Sequence, residues 1–416
     1  MTLRRLVFMV AAGCAVASPV SAEPGLQRPP FLPPDSLIRT ALDEDPSVGE
    51  AEARLAAARA EARQLAVGEH ETTLIAGFDD RRVRGEGRYG EWTAQLSRGL
   101  RLPGKAALDR TAGRFGEKAA SDGVEDARHH ASLELAARWI AWAEAAERTE
   151  IDAAEVEAYR AEVRALERRV ELKDAALLDL QVAQGALARA RAAHQQSVSA
   201  ERRAALELRN LHPGLAPERS PALTPPQPPE RPFAAWPELI VARSHELTMA
   251  RADADREQAL ARRARLDRVA DPSLGIRTFN ERGGDETGVG IFVSIPFGGP
   301  RRSAIADRQV AAASGAEARY RMMERTIRMT AQTDTAAAET ALAAWREAES
   351  ARLASGTAAE RIARAYALGE RDLADRLAAE RQAFEARRFE LAARAEAQRT
   401  LLKMALDAHE LWLSEE

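Results

Sequence analysis

Gly288-Val289-Gly290-Ile291-Phe292-Val293-Ser294-Ile295-Pro296 reads as a strand with two unlike faces. Val289, Ile291, Val293 and Ile295 fall on one side, and Gly288, Gly290, Phe292 and Ser294 on the other, which is the period of two that a pleated strand imposes. The first half of the chain holds a counterpart. In Trp92-Thr93-Ala94-Gln95-Leu96-Ser97, apolar Trp92, Ala94 and Leu96 alternate with polar neighbours, and Leu102-Pro103 closes that run as Ile295-Pro296 closes the later one. A weaker strand precedes each, at Thr72 to Phe78 and at Ser273 to Asn280. Polar, glycine-bearing turns are expected between them, over Asp79 to Gly90 and Glu281 to Thr287. Two ordinary soluble hairpins would also show this alternation, but an isolated hairpin is barely stable in water. Four strands with one greasy face therefore imply closure by other copies of the chain, and three copies would supply twelve strands, an even number as membrane barrels prefer.

The strands belong to a larger duplication. Asp45-Pro46-Ser47-Val48 opens a helical stretch in the first half, and Trp236-Pro237-Glu238-Leu239 opens one in the second. Leu172-Lys173-Asp174-Ala175-Ala176-Leu177-Leu178-Asp179 parallels Leu368-Gly369-Glu370-Arg371-Asp372-Leu373-Ala374-Asp375. Copies about 190 to 196 residues apart are duplicated domains rather than solenoid units. Pro213, Pro217, Pro221, Pro225, Pro226, Pro228, Pro229, Pro232 and Pro237 divide them, and proline continues neither a helix nor a ladder. The expected organisation is a signal peptide over 1–22, a first repeat over 23–212, a Pro-rich connector over 213–237 and a second repeat over 238–416. Each repeat runs helix, two strands, one very long helix, turn, returning helix.

Lys105 to Arg169 holds no proline and few glycines, and Ser303 to Leu368 repeats the pattern. About 65 residues at 1.5 Å rise make a helix of roughly 100 Å. The return helix carries Leu377, Phe384 and Leu391 at coiled-coil spacing, yet most would-be core positions hold Ala. Alanine lets helices approach closely but fills no thick core. A single layer of helices forming a hollow tube suits that composition better than a solid bundle.

Composition narrows the function. The 416 residues carry 60 Lys+Arg and 64 Asp+Glu, a formal charge of −4, which excludes a basic protein that coats nucleic acid. Charged residues make up 30% and aromatics only 5%, the balance of long helices rather than of a thick-cored enzyme. Beyond the N-terminus no apolar run reaches the ~20 residues of a spanning helix, while barrel strands need only ~9–11 alternating residues. Arg4 and Arg5, the apolar Leu6 to Ala17 and Ser18-Pro19-Val20-Ser21-Ala22 read as a secretory signal cut after Ala22. The single cysteine, Cys14, lies inside it, or closes a lipobox in Ala11-Ala12-Gly13-Cys14. Disulfides and cysteine catalysis are absent on either reading. The address is that of an exported protein of a Gram-negative cell.

No catalytic constellation emerges. The histidines are His70, His129, His130, His194, His212, His245 and His409, with no His pair at i,i+4 and no cysteine cluster, so no metal site is expected. Adjacent His129-His130 reads as a solvated helix surface. Gly283-Gly284 and Gly298-Gly299 lack the phosphate-cradling pattern, Gly85-Glu86-Gly87-Arg88-Tyr89-Gly90 lies between strands, and Arg262-Arg263-Ala264-Arg265 is balanced by acids.

An exported chain with duplicated helix–strand–strand–long helix–turn–helix units resembles the TolC-type outer membrane efflux proteins, over essentially the whole mature chain. Gln95-Leu96-Ser97-Arg98-Gly99-Leu100-Arg101-Leu102-Pro103-Gly104-Lys105 resembles the strand-end segment of the CzcC-type, heavy-metal branch. Val293-Ser294-Ile295-Pro296-Phe297-Gly298-Gly299-Pro300-Arg301 is similar to the second-repeat counterpart, and Tyr366-Ala367-Leu368-Gly369-Glu370 to the periplasmic tip.

The resemblance implies a mainly α fold with a small β part. It implies a homotrimer, with a twelve-stranded barrel in outer membrane lipid and a trimeric α-barrel crossing the periplasm. It implies no catalysis and no cofactor. Cargo would be driven by an inner-membrane RND-type pump, joined by a periplasmic adaptor around the helical tips at Glu171 to Leu177 and Leu368 to Leu373. Glu171, Lys173, Asp174, Gly369 and Glu370 are the implied adaptor contacts. By motif position Asp179, Tyr366 and Arg371 match the family's linking residues at the closed tip, and Asp375 matches an acidic constriction. Three copies of one carboxylate around a narrow pore select cations and repel one another. The family's next acidic position is Ala378 here, which leaves a double acidic ring in doubt. Heavy-metal cation efflux is the expected function; a drug-efflux or type I secretion duct shares the fold. A periplasmic coiled-coil adaptor is the reading from another class, but it would lack membrane strands and would carry a lipoyl-like β domain that the sequence does not offer.

Overall fold

The computed structural model describes residues 26–215 and 220–412, so the signal segment over 1–22, with Cys14, lies outside the described residues. Helix α1 (Asp35–Asp43) is followed by α2 (Pro46–Val67). Asp45 separates them: its carboxylate accepts the Ser47 N–H at 2.8 Å, and Pro46 has its φ preset for a first turn. The second half repeats the pair as α5 (Trp236–Arg243) and α6 (His245–Leu266). Ser244 makes that break, its hydroxyl accepting the Leu247 N–H at 3.2 Å. Two helices, not one, thus precede each strand pair. Pro46 starts α2 while Pro237 sits in α5, so the two proline steps are not equivalent. The true counterpart of Asp45 is a serine cap with no proline to announce it.

Strands β1 (Thr72–Val83), β2 (Gly87–Gly99), β3 (Ser273–Glu281) and β4 (Glu286–Ser294) form one antiparallel sheet in chain order. The halves join at β2 and β3, where Leu96 lies opposite Ile276 and Trp92 opposite Asn280. The turn expected over Asp79 to Gly90 is much shorter, because the ladder continues to Val83 opposite Gly87. The charges that read as loop pair across it: Arg81 meets Glu91 at 2.8 Å, and Arg88 meets Asp80. Among the described residues, β1 and β4 each have a partner on one side only.

Below the sheet run α3 (Lys105–Glu171, 67 residues) and α7 (Pro300–Ala367, 68 residues), each roughly 100 Å long. They return as α4 (Leu177–Leu211) and α8 (Leu373–Asp407), 35 residues each. Near the sheet the packing order is α2, α3, α6, α7; toward the far end it is α4, α3, α8, α7. The body is therefore one helix thick. Small residues set the spacing: a Cβ on Gly113 would lie 2.9 Å from the Ala62 Cα. Leu377, Phe384 and Leu391 are buried, as their heptad spacing requires.

The apolar core is gathered at a waist halfway along the helices. Trp139, Trp142 and Trp236 are buried there with Phe31, Leu208, Leu401 and Met404, and Trp345 and Trp412 pack against them, so five of the six tryptophans meet in one place. Residues 220–237 of the Pro-rich connector cross this waist as a pinned strap. Gln398 donates to the Thr224 carbonyl at 2.8 Å, Leu223 is buried, and Arg394, which also donates to the Leu223 carbonyl, holds Glu147 at 2.7 Å.

Candidate functional site

The two helical tips close with the same backbone turn. After α3, the Asp174 N–H reaches the Arg169 carbonyl at 2.7 Å and the Lys173 N–H reaches Val170 at 3.0 Å. After α7, Glu370 reaches Ala365 at 2.9 Å and Gly369 reaches Tyr366 at 3.0 Å. This double closure needs one left-handed residue. Gly369 supplies it at φ 77°, and Lys173 must supply it at φ 63°. Glu171, Lys173, Asp174, Gly369 and Glu370 are all exposed.

The four expected gate residues separate. Arg371 and Asp375 pair at 3.3 Å, one helical turn apart. Asp372 caps α8 by accepting the Asp375 N–H at 2.8 Å. The Tyr366 hydroxyl accepts from Arg169 at 2.9 Å, and its ring lies 5.0 Å beneath the Arg376 guanidinium. Arg376 in turn holds the buried Glu162 at 2.7 Å. Burial, followed by the Glu162 charge, raises the Tyr366 phenol above its ordinary pKa. The Asp179 carboxylate has no hydrogen-bond or ion-pair partner among the described residues. Arg169, Glu162 and Arg376 were not singled out from sequence; each reads there as an ordinary helix charge, and only the meeting of the α3 and α7 ends brings them to Tyr366.

At the opposite end the sheet shows two chemistries. Residues directly opposite share a face, so Leu74, Leu96, Ile276 and Ile291 form one apolar row across all four strands. Ala76, Ala94, Thr278 and Val289 form the next. These large side chains are open to the surroundings, with Val289 82% and Leu74 69% exposed. The other face carries Thr73, Ser97, Gln95, Thr93 and Arg277, with two aromatic rings laid over glycines. A Cβ on Gly275 would lie 2.4 Å from the Phe292 ring, and one on Gly288 would lie 2.3 Å from Phe279.

The Pro-Gly-Lys segment lies where the sheet meets the helices. Lys105 is 1% exposed. Its Nζ donates to Asp271 at 2.7 Å and to the Val269 carbonyl at 2.8 Å, and pairs with Asp267 at 2.9 Å. Asp271 also accepts the Leu102 N–H at 3.0 Å and lies 2.8 Å from His70 Nε2. Burial alone would raise the Asp271 carboxyl, but the Lys105, Leu102 and His70 hydrogen bonds bring it down to about 2. Asp109, with Arg101 at 3.1 Å and Arg263 at 2.8 Å, extends this ionic collar.

The histidines require a correction. His129 is not solvated surface: its Nε2 meets Asp407 at 3.0 Å, and its side chain is only 13% exposed. His130, His245 and His409 gather beside it. The missed signal is the carboxylate: Asp126 lies three residues before His129 and four before His130, on the same helix face.

No family model matches the chain, and no curated protein matches it. Solved structures do. The outer membrane protein VceC from Vibrio cholerae is similar at a TM-score of 0.75 and 19% identity, over 91% of this chain and 96% of that one. A membrane protein from Pseudomonas aeruginosa is similar at 0.78 and 18%, over 98% and 96%. The open-state outer membrane channel MtrE of Neisseria gonorrhoeae is similar at 0.71 and 16%, over 94% and 91%. The chain has the TolC-like fold of these proteins, mainly helical with a small sheet.

Proposed function

We propose that the chain is an outer membrane exit duct of a tripartite efflux system and acts as a homotrimer. One observation carries this reading: a four-stranded sheet with two unpaired edges and an exposed apolar face stands on helices a single layer thick. Such a sheet is unstable alone in water. Three copies joined β4 to β1 remove every edge and turn the Leu74–Ile291 row toward lipid, in a twelve-stranded barrel. The same closure makes the helical layer a tube across the periplasm.

No step of bond chemistry is assigned to it. The inner-membrane RND-type pump would supply the driving force, and a periplasmic adaptor would grip the tips at Glu171, Lys173, Asp174, Gly369 and Glu370. Asp375 would line the constriction, with Arg371 holding it at rest; Tyr366 and Asp179 would link neighbouring helices there. The unpartnered Asp179 carboxylate suits a bond to the next protomer. Heavy-metal cations are the proposed cargo, on the CzcC-like segments. The repeat limits 23–212 and 238–416 are proposed with it, joined by the 213–237 strap.

Heat-modified electrophoresis tests this. Detergent-extracted outer membranes should yield a band of three chains that collapses to one on boiling. A soluble periplasmic monomer would overturn the proposal.

A further inference from the structure

Four of the seven histidines in the sequence meet where α3, the start of α6 and the turn after α8 converge. A cavity of about 230 Å³ opens there, lined by His129, His130, His245, Glu246, Asp407 and His409. Asp126 lies one helical turn earlier on α3. Its Oδ1 is buried without a hydrogen-bond partner, 3.4 Å from Nδ1 of His130. Donor atoms of Asp126, His129 and His130 all fall within 4.8 Å of one another. A tetrahedral ion with bonds of ~2.0–2.2 Å sets its ligands roughly 3.3 Å apart, within reach of small side-chain rotations.

The surroundings match what metal-binding imidazoles use. His129 places Nε2 on Asp407 at 3.0 Å, which leaves Nδ1 for an ion. His130 places Nε2 3.7 Å from Glu246, while its Nδ1 lies 2.9 Å from the Asp126 carbonyl and 3.4 Å from the Asp126 carboxylate, so the ring must turn from the carbonyl to bind an ion. For His129 the Asp407 carboxylate fixes the tautomer and orients the other ring nitrogen. His245 and His409 stack at 4.4 Å on the cavity wall, and the His409 ring lies 5.7 Å from that of His129. His409 adopts φ 53° to reach this position.

We propose that Asp126, His129 and His130 bind one divalent transition-metal ion of the imidazole-favouring class, Zn2+ being the probe, with Asp407 and Glu246 as orienting carboxylates. Water or the His409 imidazole completes the coordination. Hard cations such as Mg2+ and Ca2+, which demand more oxygen ligands, do not fit this donor set. All three ligands lie on α3, so the ion reaches α6 and the end of α8 only through Glu246, Asp407 and His409. The site stands on this chain's own residues and does not depend on the duct reading.

The test uses the untagged full-length chain, stripped of metal, in detergent. Calorimetry should find one Zn2+ per chain, with no comparable heat from Mg2+, and Co2+ should develop the visible bands of a tetrahedral centre. Asp126→Asn and His130→Ala should abolish those bands; His130 is exposed, so its loss leaves the packing intact. Asp407→Asn and Glu246→Gln should weaken binding by about 10–100-fold. His194→Ala, outside the cluster, should bind like the parent. Absence of Zn2+ binding, or binding retained by both Asp126→Asn and His130→Ala, overturns the proposal.

Discussion

Lys105→Met is the sharpest test of how the sheet is fastened to the helices. Methionine keeps the length of the buried stem and removes only the charge. In the parent, Nζ serves Asp271, Asp267 and the Val269 carbonyl within 2.9 Å. Asp267 keeps Arg263 after the change, and its side chain is 36% exposed. Asp271 is the group left stranded: its side chain is 8% exposed, with only the Leu102 N–H and His70 remaining. Breaking one partner of a buried pair costs about 3–5 kcal/mol, and the two surviving hydrogen bonds place this case near the lower end. Asp271 in the parent titrates near 2, below its ordinary 3.8. Its stabilising contribution is therefore complete above about pH 3.8 and is lost as pH falls toward 2. Without Lys105 the burial effect is opposed by fewer partners, so the folded-state pKa of Asp271 rises and the stability it loses on acidification should shrink. Guanidinium unfolding of the detergent-solubilised chain, repeated from pH 2 to 7, measures both effects. The double variant Lys105→Met, Asp271→Asn should recover most of the stability, because no charge is left uncompensated. A single variant within about 1 kcal/mol of the parent, with an unmoved acid limb, would refute the reasoning.

Lys173→Gly should stabilise the first tip by about 0.5–1 kcal/mol, since Lys173 holds φ 63° where the second tip uses glycine, and Gly369→Ala should destabilise by a similar amount in thermal melts. Gly113→Val should cost about 1–3 kcal/mol in the same melts by forcing α3 from α2 at Ala62; an unchanged midpoint would contradict the close approach. Asp375→Ala should weaken cation block of single-channel current in planar bilayers, and should leave Arg371 unpaired in the chain; unchanged block would remove Asp375 from the constriction.

Periodicity made the helices and strands legible. Lys105 to Arg169 differs from α3 by two residues at its end, because nothing in that stretch interrupts a helix. Ile291 and Leu96 announced their strand faces through alternation. The polar segment around Asp79 to Gly90 was less legible, since charges that pair across a ladder look like those of a solvated loop. Contacts between distant segments were the least legible. Arg169 reaches Tyr366, and Asp407 reaches His129, only after two long helices have been laid side by side. Lys105 showed the same limit: its neighbours in sequence give no sign that Asp267 and Asp271 will enclose it.

On the proposed reading one chain is a third of a wall, and β1 and β4 pair between neighbouring copies. Electron cryomicroscopy of the protein in lipid nanodiscs tests it most directly. Threefold particles are expected, with β4 of each protomer hydrogen-bonded to β1 of the next around an open lumen. Particles in which β1 or β4 stays unpaired, or in which the helices surround a filled centre, would contradict it.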